Sequence, residues 1–368
     1  MSLALFEKVW QALPRERKQQ KPTILQIRYR GAKGVLSLDT SLDGEQLHIR
    51  KSMTKYIARE GWNEVEICNA SYKSLRMFLN HQFIKILEDL GVPTINFIAV
   101  QNEASRMLEL VIQHPLNAAS FLGMCSPSAT MSIMLMSLEY SHSGVHARIP
   151  RLFELMHYVG INFQADRFLT DIVEIAAMSN LRSLKYRARI PIEQGYLLYG
   201  IMDETNILRE GEVYITTQTQ RDDGSMIGDI LIRDRVVVTR APALHPGDVQ
   251  LVRAVDVPAY SPLRDLVNCI VFSQQGTRDL PSQLSGGDLD GDLFHIIYDP
   301  RLIPNNAYPP ADYAPAAPKS LGRSVEVTDI SKFFIEFMKM VSSLNAQDWK
   351  DDTNSAHVGP TRPDFEHA

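Results

Sequence analysis

The sequence is poor in cysteine, in long apolar runs and in any large excess of charge of one sign. Only three cysteines occur among 368 residues, Cys68, Cys125 and Cys269, far apart and odd in number. They make neither a disulfide framework nor a metal-ligand spacing, so a reducing compartment is expected. No apolar stretch approaches the ~18 residues of a membrane-spanning helix. The N-terminus puts its short apolar part before its basic part, the reverse of a secretory signal. Together these predict an intracellular protein, in nucleus or cytoplasm, with no membrane partner. Net charge is −5, from 38 Lys and Arg against 43 Asp and Glu. That excludes a general polybasic binder and leaves room for a local basic groove, because nucleic-acid binding depends on where charge sits.

What is present is an ordinary apolar share, 45% of residues, with 22% charged. This suffices for a sizeable core, and the length suggests about two or three domains. Residues 21–39 read as two strand-like runs separated by a glycine-containing turn, Gly31 to Gly34. Residues 46–58 bring in Arg50, Lys51 and Lys55, and 63–69 is another short strand. The stretch 71–93 predicts a helix with Leu75, Leu79, Phe83, Ile86, Leu87 and Leu90 on one stripe, stopped by Gly91 and Pro93. Helical spacing returns at 104–113 and 151–186, separated by a methionine-rich 124–136 read as packing residues. From Ile190 to Asp299, short β-branched runs alternate with turn residues and predict a β domain. Residues 300–320 are rich in proline and alanine and read as a linker or exposed loop. An apolar helix and a polar tail follow, and no internal repeat of fixed period is found.

The stretch SGGDLDGDLFHI, residues 285–296, places Asp288, Asp290 and Asp292 within five residues. In extended chain, side chains at i, i+2 and i+4 share a face, so the three carboxylates can converge. Gly291 removes a side chain between them, and Gly286 and Gly287 permit a sharp approach. Three readings compete. A solvated acidic turn is the commonplace one, though it rarely needs a third carboxylate and three glycines. An EF-hand loop wants glycine at its sixth position and glutamate at its twelfth, where Leu293 and Asp299 stand, and helical flanks in place of strands; it is rejected. The third is a Mg²⁺-dependent phosphoryl-transfer centre, in which the metal is the missing counter-charge.

The stretch SGGDLDGDLF is similar to the catalytic loop of the cellular RNA-dependent RNA polymerases of RNA-silencing pathways. The blocks QIRYRGAKGVLSLD, IRKSMTKY, GIMDETNILREGEVYI, VVVTRAPALHPGDVQ and VFSQQGTRDLPSQLSGGDLDGD resemble that family in order, over roughly residues 24–340. Gln275, where the family often has lysine, and Arg30, where it has a small residue, depart from the pattern. The resemblance implies an α+β fold of two double-psi β-barrels joined by a helical connector, with the catalytic loop in the second barrel. The corresponding spans are an N-terminal segment 1–22, part of the first barrel 23–70, a connector 71–188 and the second barrel 189–300. A Pro/Ala-rich linker 301–322, a C-terminal helix 323–345 and a polar tail 346–368 complete the chain. Because the QIR block begins so near the start, an incomplete first barrel is expected.

The resemblance further implies nucleotidyl transfer from nucleoside triphosphates to an RNA 3′-hydroxyl, on a single-stranded RNA template. Asp288, Asp290 and Asp292 are the expected ligands of Mg²⁺, with Mn²⁺ substituting, and Lys33 and Lys55 complete the catalytic set. Arg28 falls where the family places a basic residue facing nucleotide or RNA. Arg240 and Arg278 are expected to hold triphosphate or backbone phosphate, a solvated strand-end arginine being the competing reading. His245 is read as bracing a tight turn, and Asp203 and Glu204 as orienting a loop. Other RNA-silencing proteins are expected partners. A second hypothesis is a truncated, catalytically inactive relative that binds RNA or a partner. A DNA-templated polymerase of the same barrel type fits the QIR and HPGD blocks less well.

Overall fold

The pattern ILQIRY carries mainly apolar side chains on one side and forms strand β1, Ile24–Tyr29, in the computed structural model of the protein. The structure describes residues 1–13, 21–56, 64–124, 149–220, 226–313 and 321–351. β1 pairs antiparallel with β2, Ala32–Ser37, through a turn formed by Arg30 and Gly31, with φ of +47° and +85°. Two central residues at positive φ suit the twist of a tight hairpin. Gly34, expected in the turn, lies inside β2 instead, where a Cβ would meet the Met53 side chain at 2.6 Å. Strand β3, Glu66–Ala70, adds to the other edge of β1. The helix Leu3–Ala12 closes one face of this small sheet, burying Phe6 against Leu25, Ile27, Leu36 and Met53.

The single helix expected over 71–93 is divided. Leu75–Phe78 form strand β4, and the helix runs only from His81 to Asp89. Asn80 separates the two, its side chain accepting from the Phe83 N–H at 2.8 Å. Asparagine stabilises a helix start better than a helix interior, and β4 gains ladder hydrogen bonds from a neighbouring strand that local periodicity does not reveal. The helices Thr94–Val111, Pro115–Met124, Ile149–Tyr158 and Arg167–Arg187 follow. The last three share a core with the end of the first, including Val111, Leu122, Phe153, Phe163 and Val173. Of the methionine-rich segment, all beyond Met124 lies outside the described residues.

The β domain expected from Ile190 onward is a closed barrel. The strands of this region are β5 (Pro191–Met202), β6 (Glu212–Gln220), β7 (Met226–Leu231), β8 (Arg233–Arg240), β9 (Val249–Ala254), β10 (Cys269–Phe272) and β11 (Leu293–Ile297). The order β10-β5-β11-β8-β9-β6 returns to β10 through an antiparallel β6–β10 pairing, so six strands close without an open edge. β4 lies on β5 and β7 extends β6 as side branches. The barrel is filled by Leu198, Ile215, Val238, Ile270, Phe272, Phe294 and Ile296. Ile24 and Val35 of the first hairpin bury against Tyr199, Ile201 and Val271 on its outer surface. The fold is therefore mixed α+β. Residues 300–312, expected as a linker or exposed loop, run against the barrel: Leu302 is fully buried, Asn306 N–H donates to the Leu90 carbonyl, and the Pro304 carbonyl accepts from Arg235. A proline-rich chain still offers carbonyl acceptors, and arginine supplies the donors.

Residues 313–368 form a second unit. Its helix, Val327–Asp351, exposes Ile330, Phe333 and Phe334, and Arg323 pairs with Asp329 in its first turn at 2.7 Å. The polar tail beyond 351 lies outside the described residues. Among those residues, no helix is long and apolar enough to cross a membrane.

Candidate active site

The chain leaves the short helix Leu280–Gln283 and turns sharply through Ser285 and Gly286, at φ +58° and +64°, before entering β11. Within this loop, one carboxylate oxygen from each of Asp288, Asp290 and Asp292 lies within 4.8 Å of the others. The convergence comes from a bent loop, not from an extended strand. The Asp288 N–H donates to Asp292 Oδ2 at 3.0 Å, and the Asp290 N–H to Asp288 Oδ1 at 3.3 Å. Gly291, at φ +132°, lets the chain pass so close to β1 that a Cβ there would meet Gln26 Nε2 at 1.9 Å. Gln26 Nε2 donates to the Asp290 carbonyl at 2.9 Å, and the Val35 N–H to the Leu289 carbonyl at 3.1 Å. The first hairpin thus holds the loop by its backbone.

The same hairpin supplies cations. Lys33 Nζ is 2.6 Å from Asp290 Oδ2. Arg28 stands directly across from Lys33 in the β1–β2 register, with its side chain exposed. Two like charges facing one another across strands are unfavourable, and the aspartates offset that cost. Lys55 arrives by a different path: its N–H donates to the Gly31 carbonyl at 2.9 Å, beside the Ala32–Thr54 bridge. Its Nζ lies 3.9 Å from Asp288 Oδ2, a looser contact. On the barrel side, Arg240 Nε binds Asp292 Oδ2 at 2.7 Å, while its other nitrogens reach Asp292 Oδ1 and the Ser285 carbonyl at 3.2 Å.

This uneven pairing sets the protonation of the cluster. Burial works against the charge of Asp290, but hydrogen bonding to Lys33 and to Asp288 and the charges of Lys33 and Lys55 hold its pKa below the ordinary value. Asp288 is pushed up to about 6, first by loss of hydration, then by its hydrogen bond to Asp290 and the charges of Asp290 and Asp292. Lys33 is raised, chiefly by its bond to Asp290. An all-oxygen donor set whose carboxylates repel one another suits a hard divalent cation such as Mg²⁺. A group whose folded pKa is raised adds stability at pH below its unfolded pKa and loses it as pH rises through the folded one. Asp288→Asn should therefore raise the metal-free melting temperature at pH 7 slightly, by about 1–2 °C once solvent screening is allowed for. If the three carboxylates hold Mg²⁺, the substitution should also weaken a Mg²⁺-induced rise in melting temperature. Thermal melts of both proteins with and without Mg²⁺ read this directly; an unchanged Mg²⁺ response in the variant would remove Asp288 from the candidate metal ligands.

The remaining expected residues are placed elsewhere. Arg278 binds the Ser282 carbonyl and hydroxyl at 2.6 and 3.2 Å and the Ala311 carbonyl at 2.8 Å, so it ties the loop before the aspartates to residues 300–312. His245 Nδ1 accepts from the Gly247 N–H at 2.9 Å, and the fully buried Asp248 accepts from the N–H groups of Leu244 and His245. That is a braced turn. Asp203, also fully buried, accepts from the N–H groups of Thr205 and Leu208, and Glu204 pairs with Arg50 at 2.7 Å. Gln26 and Arg50 are the contributors that sequence reasoning missed. Arg50 also donates to the Val35 carbonyl at 3.1 Å, joining the first sheet to the barrel. The one local signal for Gln26 is that it shares a strand face with Arg28, two residues on.

A family model described as RNA dependent RNA polymerase matches residues 1–345. RNA-dependent RNA polymerase 1 of Arabidopsis thaliana is 30% identical over 323 residues, covering 86% of this chain and 26% of that protein. The probable RNA-dependent RNA polymerase 1 of Oryza sativa subsp. japonica is 31% identical, covering 87% of this chain and 40% of that protein. RNA-dependent RNA polymerase 1 of Schizosaccharomyces pombe is 29% identical, covering 89% and 27%. The chain thus spans well under half the length of these relatives. Among solved structures, the RNA dependent RNA polymerase QDE-1 from Thielavia terrestris superposes with a TM-score of 0.64 at 23% identity, over 88% of this chain and 35% of that one. It shares the fold. With a match running through both the basic hairpin and the aspartate loop, the chain belongs to the RNA-dependent RNA polymerase family.

Proposed function

We propose that this chain is the catalytic core of an RNA-directed RNA polymerase, a nucleotidyltransferase that makes RNA on single-stranded RNA templates in RNA silencing. The observation that carries this is the meeting of three carboxylates on the barrel with Lys33 and Lys55 on a separate β unit. In this reading the six-strand barrel is the second double-psi β-barrel. The small sheet is part of the first, with residues 71–188 as connector.

Asp288, Asp290 and Asp292 would hold Mg²⁺, or Mn²⁺ in its place. When bound, the divalent ion lowers the pKa of an attacking hydroxyl and neutralises phosphate charge. The chain's own part is positional and electrostatic. Arg240 fixes the rotamer of Asp292, and Gln26 fixes the backbone of Asp290, so that the donor oxygens face one point. Lys33, Lys55 and Arg28 present positive charge across from the aspartates, where triphosphate and RNA phosphates would lie. Reading the template through its backbone and shape allows any sequence to be copied. Nuclear or cytoplasmic RNA and nucleoside triphosphates are the substrates this implies, with other silencing proteins as partners.

The purified chain, given single-stranded RNA, labelled nucleoside triphosphates and Mg²⁺, should extend RNA and should stop on chelation. RNA binding should weaken steeply between 50 and 200 mM salt, by about tenfold for each pair or so of phosphate contacts. Salt-insensitive RNA binding together with no incorporation would defeat the proposal.

A further inference from the structure

A cavity of about 580 Å³ lies in the first unit between the start of β5 and the helices Thr94–Val111, Pro115–Met124 and Arg167–Arg187. It touches β5 at Pro191, Glu193 and Gln194. The aspartates lie beyond the other end of that strand, since Leu293 at the base of their loop is paired with Tyr199. Six residues of strand, about 20 Å, separate Glu193 from Tyr199. The two sites are distinct.

The cavity wall is net positive, with five arginines against the three carboxylates of Glu103, Glu193 and Asp299. Arg301 is answered within the wall itself, by Glu103 at 2.5 Å and Asp299 at 2.7 Å. Arg76, Arg106, Arg187 and Arg189 also line it, and among the described residues none of the four has a carboxylate within ion-pair distance. Glu193 is the one other acid on the wall. Arg189 stands 4.2 Å from the ring centroid of Phe78, and burial followed by the charge of Arg187 both disfavour its own charge. Like charges gathered in a concave site are costly unless an anion joins them, and guanidinium groups bind phosphate in bidentate fashion. Ser120, Ser179 and Ser183 add hydrogen-bonding groups, while Phe78 and Phe121 add flat apolar surface. The volume falls in the range of sites that hold one small ligand.

We infer that this cavity binds a small oligophosphate, a nucleoside polyphosphate or its inorganic counterpart, on Arg76, Arg106, Arg187 and Arg189, away from the aspartate loop. The inference does not depend on the polymerase reading, and its test is kept separate by removing metal. Calorimetric titration of the full chain in EDTA, with ATP and with inorganic tripolyphosphate as probes, should show binding of one molecule. Arg187→Glu combined with Arg189→Glu should weaken it at least tenfold, about 1.4 kcal/mol. Arg106→Glu, on an exposed helix position, should weaken it about threefold and guards against misfolding of the double variant. Asp290→Ala should leave it unchanged. Tighter binding of ATP than of tripolyphosphate would identify a nucleotide, with its base on the Phe78 side; equal binding would identify the phosphates alone as the ligand. The inference falls if neither probe binds, if the arginine variants bind as the wild type does, or if Asp290→Ala abolishes binding. It also falls if a single-stranded RNA oligonucleotide alone binds and loses affinity in the same arginine variants.

Discussion

Alanine in place of Asp290 should cut Mg²⁺-dependent nucleotide incorporation by about 10³-fold or more, equivalent to ~4 kcal/mol of barrier. Lys33, at 2.6 Å, helps to hold Asp290 in its charged form. Removing Asp290 takes away one proposed metal donor and leaves Lys33 without its ion-pair partner. The cost to folding should be small, within about 1 kcal/mol, because an ion pair open to solvent contributes little. Loss of incorporation with an unchanged melting temperature and unchanged RNA affinity is therefore the expected signature. Equal background from wild type and variant would sink the catalytic reading and favour an inactive RNA-binding relative.

Phe294→Ala should act in the opposite way, through the fold. Phe294 is fully buried at the centre of the barrel, edge-on to Phe272 with ring centroids 4.7 Å apart. Gly200 on β5 makes room for it: a Cβ there would lie 2.4 Å from the Phe294 ring. With no side chain at 200 to collapse inward, the cavity left by alanine stays open, and a loss of about 3–5 kcal/mol is expected. Urea unfolding should show the midpoint falling with little change in slope. A loss below about 1 kcal/mol would mean that the barrel interior repacks freely and that Gly200 is not shaped around this ring.

The aspartate loop was legible because its signal is local: three carboxylates and three glycines in eight residues need an explanation wherever they fold. The cations opposite it were placed by family resemblance, and Lys33 stands closest to the loop. Arg240 was legible as a cation and not as the partner of Asp292, since nothing near residue 240 points to residue 292. The strand at Leu75–Phe78 was hidden for a similar reason. Its apolar spacing fits a helix, and only the edge of β5, more than a hundred residues later, makes it a strand. Barrel closure, which depends on β6 meeting β10, has no local signature either. Periodicity reports which face of an element is apolar. It does not report what that face meets.

The hydrogen bond from Gln26 to the Asp290 carbonyl spans 264 residues. On a ribosome adding about 5–20 residues per second, the hairpin carrying Gln26, Arg28 and Lys33 waits on the order of ten seconds to a minute for the loop it must grip. Such a contact of long sequence separation closes late in folding. During synthesis, the basic hairpin emerges with its phosphate-attracting side chains and no aspartates to answer them. Lys33 and Lys55 meet their carboxylate partners only once the loop entering β11 has been made. Anything that delays barrel closure leaves these cations facing solvent without their carboxylate partners.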